Sequence, residues 1–228
     1  MKKYLYWLAP ISILILFVIF TVLVKTVDVQ YISVGTSELN YYVGFYSMNS
    51  VARDWAESLN KSDFAKTLSD IVLYLSFAFV IGFTGVTIFQ IIKNKSFKAV
   101  DRRYYILFAT YVAVVVLYFA FEVVRINYSP MVEDKLKPSY PSTHVFVATV
   151  FYICSTLTAI DMIPIEKRPL RILTIVLIVF LVLLVGFVRF LSGRHWLSDI
   201  IAGYLLAGFV TSLYAVIYRD FFKHPKKD

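Results

Sequence analysis

Residues 172–218 read ILTIVLIVFLVLLVGFVRFLSGRHWLSDIIAGYLLAGFVTSLYAVIY, two long apolar runs that enclose the polar segment RFLSGRHWLSD at 189–199. Each run is about long enough for a helix to cross the hydrocarbon core of a bilayer, which is ~30 Å thick. The short junction predicts two membrane helices that meet at one membrane face. Because two arginines, a histidine and an aspartate are concentrated in this one short junction, it is also a candidate functional segment.

Apolar runs recur along the whole chain of 228 residues, of which 59% are hydrophobic. They lie near 4–24, 71–92, 104–121, 145–162, 172–188 and 200–218. Because a segment inside the bilayer must satisfy its own backbone hydrogen bonds, six helices are the simplest interpretation. We therefore predict an all-α fold, a six-transmembrane-helix bundle that forms one integral-membrane domain over 1–228. The first run is too long for a signal peptide and lacks a cleavage site, so we expect it to remain as the first span.

The distribution of basic residues predicts the orientation. More than half of the 23 Lys and Arg residues, but only a third of the 15 Asp and Glu residues, lie at the termini and in the second and fourth connections. Cytoplasmic segments carry such an excess. We expect a cell-membrane protein with both termini cytoplasmic and with 25–70, 122–144 and 189–199 outside. This topology accounts for most of the net charge of +8, so we expect no nucleic-acid partner.

The longest segment between spans, 25–70, carries a helical pattern. Val51, Trp55 and Leu59 recur at i, i+4 and i+8, and the aromatic stretch LNYYVGFY precedes them. Aromatic side chains favour the membrane interface. We expect short interfacial helices that cover the outer ends of the spans without direct contact with a substrate.

The junction between the last two spans contains residue types suited to phosphate chemistry. We expect His195 to open the sixth span and Asp199 to lie on the same helical face, where it can accept the imidazole N–H. Arg189 ends the fifth span, and its planar guanidinium matches phosphate oxygens. A structural salt bridge between Arg194 and Asp199 is the alternative, but it leaves the histidine unexplained.

A second polar motif, PSTH at 141–144, stands directly before the fourth apolar run. The N-terminus of a helix presents unpaired N–H groups and a favourable dipole, and both attract anions. Ser142 could simply be an N-cap, and His144 could be an interfacial histidine. A second histidine at a helix N-terminus on the same predicted face favours an anion site instead.

A metal site is another possible interpretation of the junction. The spacing His-x-x-x-Asp fits two ligands on a helix. However, the chain has only three histidines, and His224 lies in the predicted cytoplasmic tail. The lone Cys154 lies within the fourth run, so no outer cysteine completes a ligand set. We therefore expect neither a metal nor another cofactor.

These two motifs resemble those of the type-2 phosphatidic acid phosphatase family, the integral-membrane lipid phosphate phosphatases. The third motif of that family is S-R-x5-H-x3-D, which Arg189, His195 and Asp199 match, while Val188 replaces the Ser. The second motif is P-S-G-H, and the sequence at 141–144 differs from it only by Thr in place of Gly.

The first motif of the family, K-x6-R-P, is altered in this chain. Pro130 matches the Pro, but Glu122 and Ser129 stand where Lys and Arg are expected. If the third helix continued, Arg125 would share its face with both positions, so we take it as a candidate phosphate ligand. Two lysines of the same loop are the alternatives, Lys135 and Lys137.

The resemblance implies metal-independent hydrolysis of a phosphate monoester or pyrophosphate of an amphiphilic lipid at the outer face. His195 would form a phosphohistidine with Asp199 orienting it, and His144 would protonate the leaving oxygen. The phosphoryl group would be held by backbone N–H groups and by Arg189, Ser142 and Thr143. Candidate substrates are a polyprenyl pyrophosphate, phosphatidic acid and phosphatidylglycerol phosphate. The expected partners are this lipid and the bilayer, and the sequence does not indicate an oligomeric state.

Two other functions fit the same residues. One is a lipid phosphotransferase that passes the phosphoryl group from the same histidine to an acceptor other than water. The other is a non-enzymatic protein that binds or transports phospholipids on the same scaffold. The altered first motif favours the second alternative, whereas the intact Arg189, His144, His195 and Asp199 oppose it.

Overall fold

The computed structural model describes residues 3–33, 40–130 and 137–222. Its helices are α1 (Leu8–Thr26), α2 (Tyr46–Ser58), α3 (Ser62–Asn94), α4 (Arg102–Val123), α5 (Thr143–Ile160), α6 (Arg168–Leu191) and α7 (Leu197–Phe222). Two short strands precede α2, namely β1 (Gln30–Ser33) and β2 (Asn40–Val43). Short 3-10 turns lie at Lys3–Trp7, Phe97–Ala99 and Ile165–Lys167.

All the described helices except α2 are long and apolar enough to cross a membrane, which gives the six predicted spans. The chain is therefore a multi-pass membrane protein. The largest difference in bounds is at α3, which starts at Ser62 although the second apolar run starts near residue 71. Hydropathy marks only the part of a helix that suits hydrocarbon, whereas backbone hydrogen bonding continues through the polar first turns.

Helix α5 is the centre of the bundle. It packs against α3, α4, α6 and α7, and most of its side chains are buried. A hydrogen bond between Tyr111 Oη and Ser155 Oγ, 2.7 Å long, joins α4 to α5 inside this core. By contrast, α1, α3, α4 and α6 expose many large apolar side chains. A membrane-spanning bundle presents such surfaces to lipid, so α5 holds the bundle together while its neighbours face the bilayer.

The segment between α1 and α3 differs from the predicted set of short helices. Strands β1 and β2 pair antiparallel, with Gln30 opposite Val43, and only one short helix, α2, follows them. Tyr41 and Val43 are buried against Trp196, whereas Tyr42 between them is 61% exposed. This two-residue alternation is the period of a strand, and the aromatic composition alone did not indicate it.

Helix α2 confirms a helix at the predicted place, but its apolar stripe does not cover the bundle. Val51, Trp55 and Leu59 are exposed, and the buried residues of the helix are Asn49 and Ala56. The helix contacts the rest of the protein through Asn49, which donates to Ser198 Oγ at 2.9 Å, and through Trp55, whose half-exposed ring stacks on Phe190 of α6.

Two glycines permit close approaches around the end of the bundle that carries the junction at 189–199. A Cβ atom on Gly203 of α7 would lie 2.8 Å from the backbone oxygen of Ser142. A Cβ atom on Gly44, after β2, would lie 1.5 Å from the backbone oxygen of Val24. The first approach joins α7 to the N-terminus of α5, and the second joins the hairpin to the C-terminal turn of α1.

Candidate active site

His195 lies in the short turn between α6 and α7. Gly193 gives this turn a backbone φ of 68°, a conformation that side chains other than glycine rarely adopt. Because α7 begins at Leu197, the prediction that His195 opens the helix is wrong by two residues. A shared helical face therefore does not set the position of His195 relative to Asp199.

The two ring nitrogens of His195 have different partners. Nδ1 lies 2.9 Å from the backbone oxygen of Ser139, and Nε2 lies 3.0 Å from Nη2 of Arg189. A carbonyl oxygen only accepts and a guanidinium only donates, so Nδ1 carries the proton and Nε2 presents a lone pair. This tautomer gives Nε2 the form required of a nucleophile.

Asp199 does not accept the imidazole N–H as predicted. Its Oδ2 atom lies 3.8 Å from Nδ1 of His195, which is too long for a hydrogen bond. Instead, Oδ1 accepts from Asn127 Nδ2 at 3.0 Å, and Oδ2 accepts from the backbone N–H of Trp196 at 3.1 Å. Asp199 therefore does not form the alternative salt bridge with Arg194 either. The group that accepts from Nδ1 and orients the imidazole of His195 is the carbonyl of Ser139.

The pKa of His195 is lowered from its ordinary value of 6.5. Burial is the main cause because it disfavours the imidazolium, and the charge of Arg189 acts in the same direction. Asp199 and the Ser139 carbonyl oppose this shift without reversing it. The imidazole is therefore neutral at neutral pH.

A polar cavity of about 110 Å³ lies beside His195. It is lined by Ser129, Lys137, Pro138, Ser139, Arg189, Arg194 and His195. Arg189 is 7% exposed, and its Nε atom has no hydrogen-bond partner among the described residues; nor do the buried hydroxyls of Ser139 and Ser142. Buried donors without partners are costly, so this cavity is chemically suited to an anion.

The structure places Arg125 away from this cavity. Helix α4 ends at Val123 and the backbone is extended at Val124, so the helical face on which the prediction depended does not continue. Arg125 is exposed and lines a separate cavity with Lys25 and Tyr41, so the structure does not bring it together with His195 and Arg189.

Two cations other than Arg189 line the polar cavity. Lys137, one of the two predicted alternatives, lines the polar cavity together with Ser129 and Arg194. Lys135, the other alternative, lies outside the described residues. Arg194 also lines the cavity, although the sequence suggested it only as a salt-bridge partner of Asp199. Its position directly before His195 in the turn is the signal that could have indicated a cation at the site.

The second motif meets the third at the start of α5. The backbone N–H of Ser142 donates to the backbone oxygen of Asp199 at 2.9 Å. Ser142 is the N-cap of α5, but its side chain makes no capping hydrogen bond. Two residues further on, His144 lies close enough to Arg189 and His195 for their charges to act on it. The structure thus brings both predicted histidines into one site.

Asp70 is a site residue that the sequence analysis missed. Its Oδ1 atom lies 3.6 Å from Nε2 of His144, where the carboxylate can pair with a protonated imidazole. It stands one residue before the second apolar run, where a polar flanking residue needed no further explanation. A carboxylate at a span boundary was the only signal that could have identified it.

His144 also lines an apolar groove of about 340 Å³ between α3, α4 and α5. Other residues that line it include Thr143, Tyr74, Phe77, Tyr118 and Phe151. Thr143, which was predicted to bind phosphate, therefore contacts the apolar groove and is not part of the polar cavity's lining. The site combines a cationic cavity at His195 with an apolar groove at His144.

Among the described residues, no three His, Cys, Asp or Glu side chains are grouped so that they could hold a metal ion. His224 lies outside those residues.

Comparison with known proteins agrees with this architecture. The model of the PAP2 superfamily matches residues 74–223, a range that contains both histidines and all three motif segments. The fold is similar to that in the crystal structure of a transmembrane PAP2-type phosphatidylglycerolphosphate phosphatase from Bacillus subtilis, with a TM-score of 0.62. The likeness covers 96% of this chain and 98% of that chain at 14% sequence identity. No curated protein sequence gives a significant match.

Proposed function

We propose that this chain, which belongs to the PAP2 superfamily of membrane lipid phosphatases, hydrolyses a phosphorylated lipid. The reaction would proceed through a phosphohistidine at His195. One observation carries this proposal. The Nε2 lone pair of a buried, neutral His195 faces Arg189 in a cationic cavity, and two buried groups of its lining, the Nε atom of Arg189 and the hydroxyl of Ser139, have no hydrogen-bond partner among the described residues.

In the first step, Nε2 of His195 attacks phosphorus and forms an N–P bond while the P–O bond to the lipid breaks. His144, protonated beforehand, gives its proton to the leaving oxygen. Arg189 and Ser142 donate hydrogen bonds to the phosphoryl oxygens as charge develops on them. The new phosphoimidazolium is positive, and the Asp199 carboxylate 3.8 Å from Nδ1 stabilises it.

In the second step, water attacks phosphorus and the N–P bond breaks. His144 accepts a proton from the water, and the bonding pair returns to Nε2 of His195. Asp70 assists both steps because it can pair with His144 whenever that imidazole is protonated. The net reaction is lipid phosphate plus water to lipid alcohol plus inorganic phosphate, or to the lipid monophosphate when the substrate is a pyrophosphate.

The apolar groove supports an amphiphilic substrate. Its lining is aromatic and aliphatic, and it reaches His144, the proposed acid for the leaving group. A lipid tail in this groove would place the bond to phosphorus between the two histidines. The similar solved structure is that of a phosphatidylglycerolphosphate phosphatase, so phosphatidylglycerol phosphate is tested beside the other two candidates, phosphatidic acid and a polyprenyl pyrophosphate. The excess of basic residues on the terminal side supports a site on the outer face of the cell membrane, with both termini cytoplasmic.

The test is phosphate release by the purified full chain from vesicles that contain each candidate lipid. We expect release from at least one lipid, and a loss well beyond the ~10²–10⁴-fold effect of a general acid or base when His195 is changed to Ala. Arg125→Ala is the matched control, because this arginine lies in a different cavity, and it should retain full activity.

Two outcomes would contradict the proposal. Unchanged activity in His195→Ala would exclude the phosphohistidine. Transfer of the phosphoryl group to an added lipid or sugar alcohol, with little inorganic phosphate, would show a phosphotransferase.

Acid-labile and hydroxylamine-labile phosphate on a His144→Ala variant incubated with an activated substrate would support the intermediate directly.

A further inference from the structure

The carboxylate of Asp199 is fully engaged by groups other than the histidine. Asn127, in the loop after α4, donates from Nδ2 to Oδ1, and the backbone N–H of Trp196 donates to Oδ2. Asn127 is 1% exposed and Asp199 is fully buried. Both carboxylate oxygens are therefore held in place by hydrogen bonds, and these bonds leave Oδ2 3.8 Å from the imidazole.

Asn127 is itself held from several sides. Its Nδ2 atom also lies 3.3 Å from Ser198 Oγ, and its backbone oxygen accepts from the N–H of Ser139 at 3.0 Å. The carbonyl of Ser139 is the acceptor for the Nδ1 proton of His195. One asparagine thus fixes both groups that face Nδ1, the carboxylate through its side chain and the carbonyl through its backbone.

A second buried asparagine occupies an equivalent place without reaching the carboxylate. Asn49 of α2 donates to Ser198 Oγ at 2.9 Å and accepts from the Ser198 N–H at 3.0 Å. It is also 1% exposed and bonds to the backbone oxygen of Gly44 at 2.8 Å. Asn49 and Asn127 therefore share burial, residue type and a bond to Ser198, and only Asn127 touches Asp199.

We propose that Asn127 is a positioning residue for His195: through its side chain and its backbone it fixes the Asp199 carboxylate at 3.8 Å from Nδ1 and the Ser139 carbonyl as the acceptor of the Nδ1 proton, so that the Nε2 lone pair is available to attack phosphorus. This role rests on the proposed function of His195 as the nucleophile. Without the Asn127 donor, Oδ1 would lose a hydrogen bond and the carboxylate would gain both charge density and freedom to approach Nδ1. A closer carboxylate would stabilise the imidazolium, which has no lone pair with which to attack phosphorus.

Other charged groups also face His195, and the test must leave them unchanged. Arg189 contacts Nε2 from α6, and Arg194 and Lys137 line the same cavity. His144 approaches from α5, with Asp70 of α3 behind it. The substitution of Asn127 alters none of these charges, so a change in proton affinity at His195 would report on the Asp199 carboxylate.

The experiment is an NMR titration of the full-length protein in detergent with isotope-labelled histidine. The chain has only three histidines, and the variants His144→Gln and His224→Gln assign the signal of His195. We expect Asn127→Ala to increase the proton affinity of His195 about tenfold, since a hydrogen bond to a charged group is worth ~1.5–3 kcal/mol. Asn49→Ala, the matched control, should leave that affinity within about twofold of the wild type.

An unchanged proton affinity in Asn127→Ala, or an equal increase in both variants, would overturn the proposal, because equal changes would reflect general loosening of the buried network. If the alanine variant does not fold, Asn127→Leu retains the volume without the donor and carries the same expectation. The titration does not require activity. A wild-type protein that releases no phosphate would therefore refute the proposed function while the role of Asn127 is still tested.

Discussion

Changing Arg189 to Lys tests the central contact of the proposed site. The substitution keeps the positive charge but removes the planar guanidinium, which contacts His195 Nε2 at 3.0 Å and whose buried Nε atom has no partner in the described part of the chain. Lysine can replace one charged hydrogen bond to a phosphoryl oxygen but not two in fixed geometry. The loss of one such bond is worth ~1.5–3 kcal/mol, which corresponds to a fall in kcat/KM of about 10- to 150-fold.

The assay is phosphate release from mixed vesicles at substrate concentrations below KM, with thermal unfolding of each variant measured in parallel. Arg125→Lys is the control, because that arginine is exposed in a separate cavity. If Arg189→Lys stayed within threefold of the wild type, the bidentate role would be excluded. If Arg125→Lys were the damaging variant instead, the phosphate would bind in the other cavity.

Three further predictions concern the ionisation of His195, the packing of Gly203 and the orientation of the chain in the membrane. Because burial and Arg189 lower the pKa of His195, phosphoenzyme formation from a substrate with an activated leaving group should stay constant as the pH falls to 6.5 and should decline only below it. A midpoint above pH 6.5 would contradict this. Gly203→Ala should lower stability by ~1–3 kcal/mol because its Cβ would meet a backbone oxygen at 2.8 Å, whereas Gly82→Ala, which has open space, should not destabilise. In intact cells, an impermeant thiol reagent should label a cysteine at Lys61 but not at Lys95; the reverse pattern would invert the topology.

The spans were predictable because hydropathy measures the property that a bilayer selects. All six predicted runs lie almost entirely within helices, and the site segments at 141–144 and 189–199 lie at their ends. The position of His195 near Arg189 was also predictable, because only a tight turn separates them in sequence. These successes depend on local features, such as run length and short separations.

The omissions concern contacts between distant segments, whereas the misplacement of Arg125 arose within one segment. Arg125 was placed by a helical-face argument that required α4 to continue, and the backbone leaves the helix at Val124. Asn127 and Asp70 were missed because each acts on a residue more than 70 positions away along the chain. A polar residue at the end of a span looks the same in sequence whether it faces solvent or a second motif.

The neighbouring positions of α1 and α7 have a consequence for the biogenesis of the protein. The first membrane helix packs extensively against the last one, and a hydrogen bond of 2.7 Å between Thr21 and Tyr140 also links it to the loop before α5. A chain is made from its N-terminus, so α1 must wait in the membrane until the ribosome has produced α7. Until α7 is inserted, the backbone oxygen of Asp199 is not available to the Ser142 N–H, so a nascent chain that ends before α7 does not contain the assembled candidate site. Premature termination or a quality-control failure at the last helix should therefore yield an inactive protein whose first helix exposes an unsatisfied packing face to membrane chaperones and proteases.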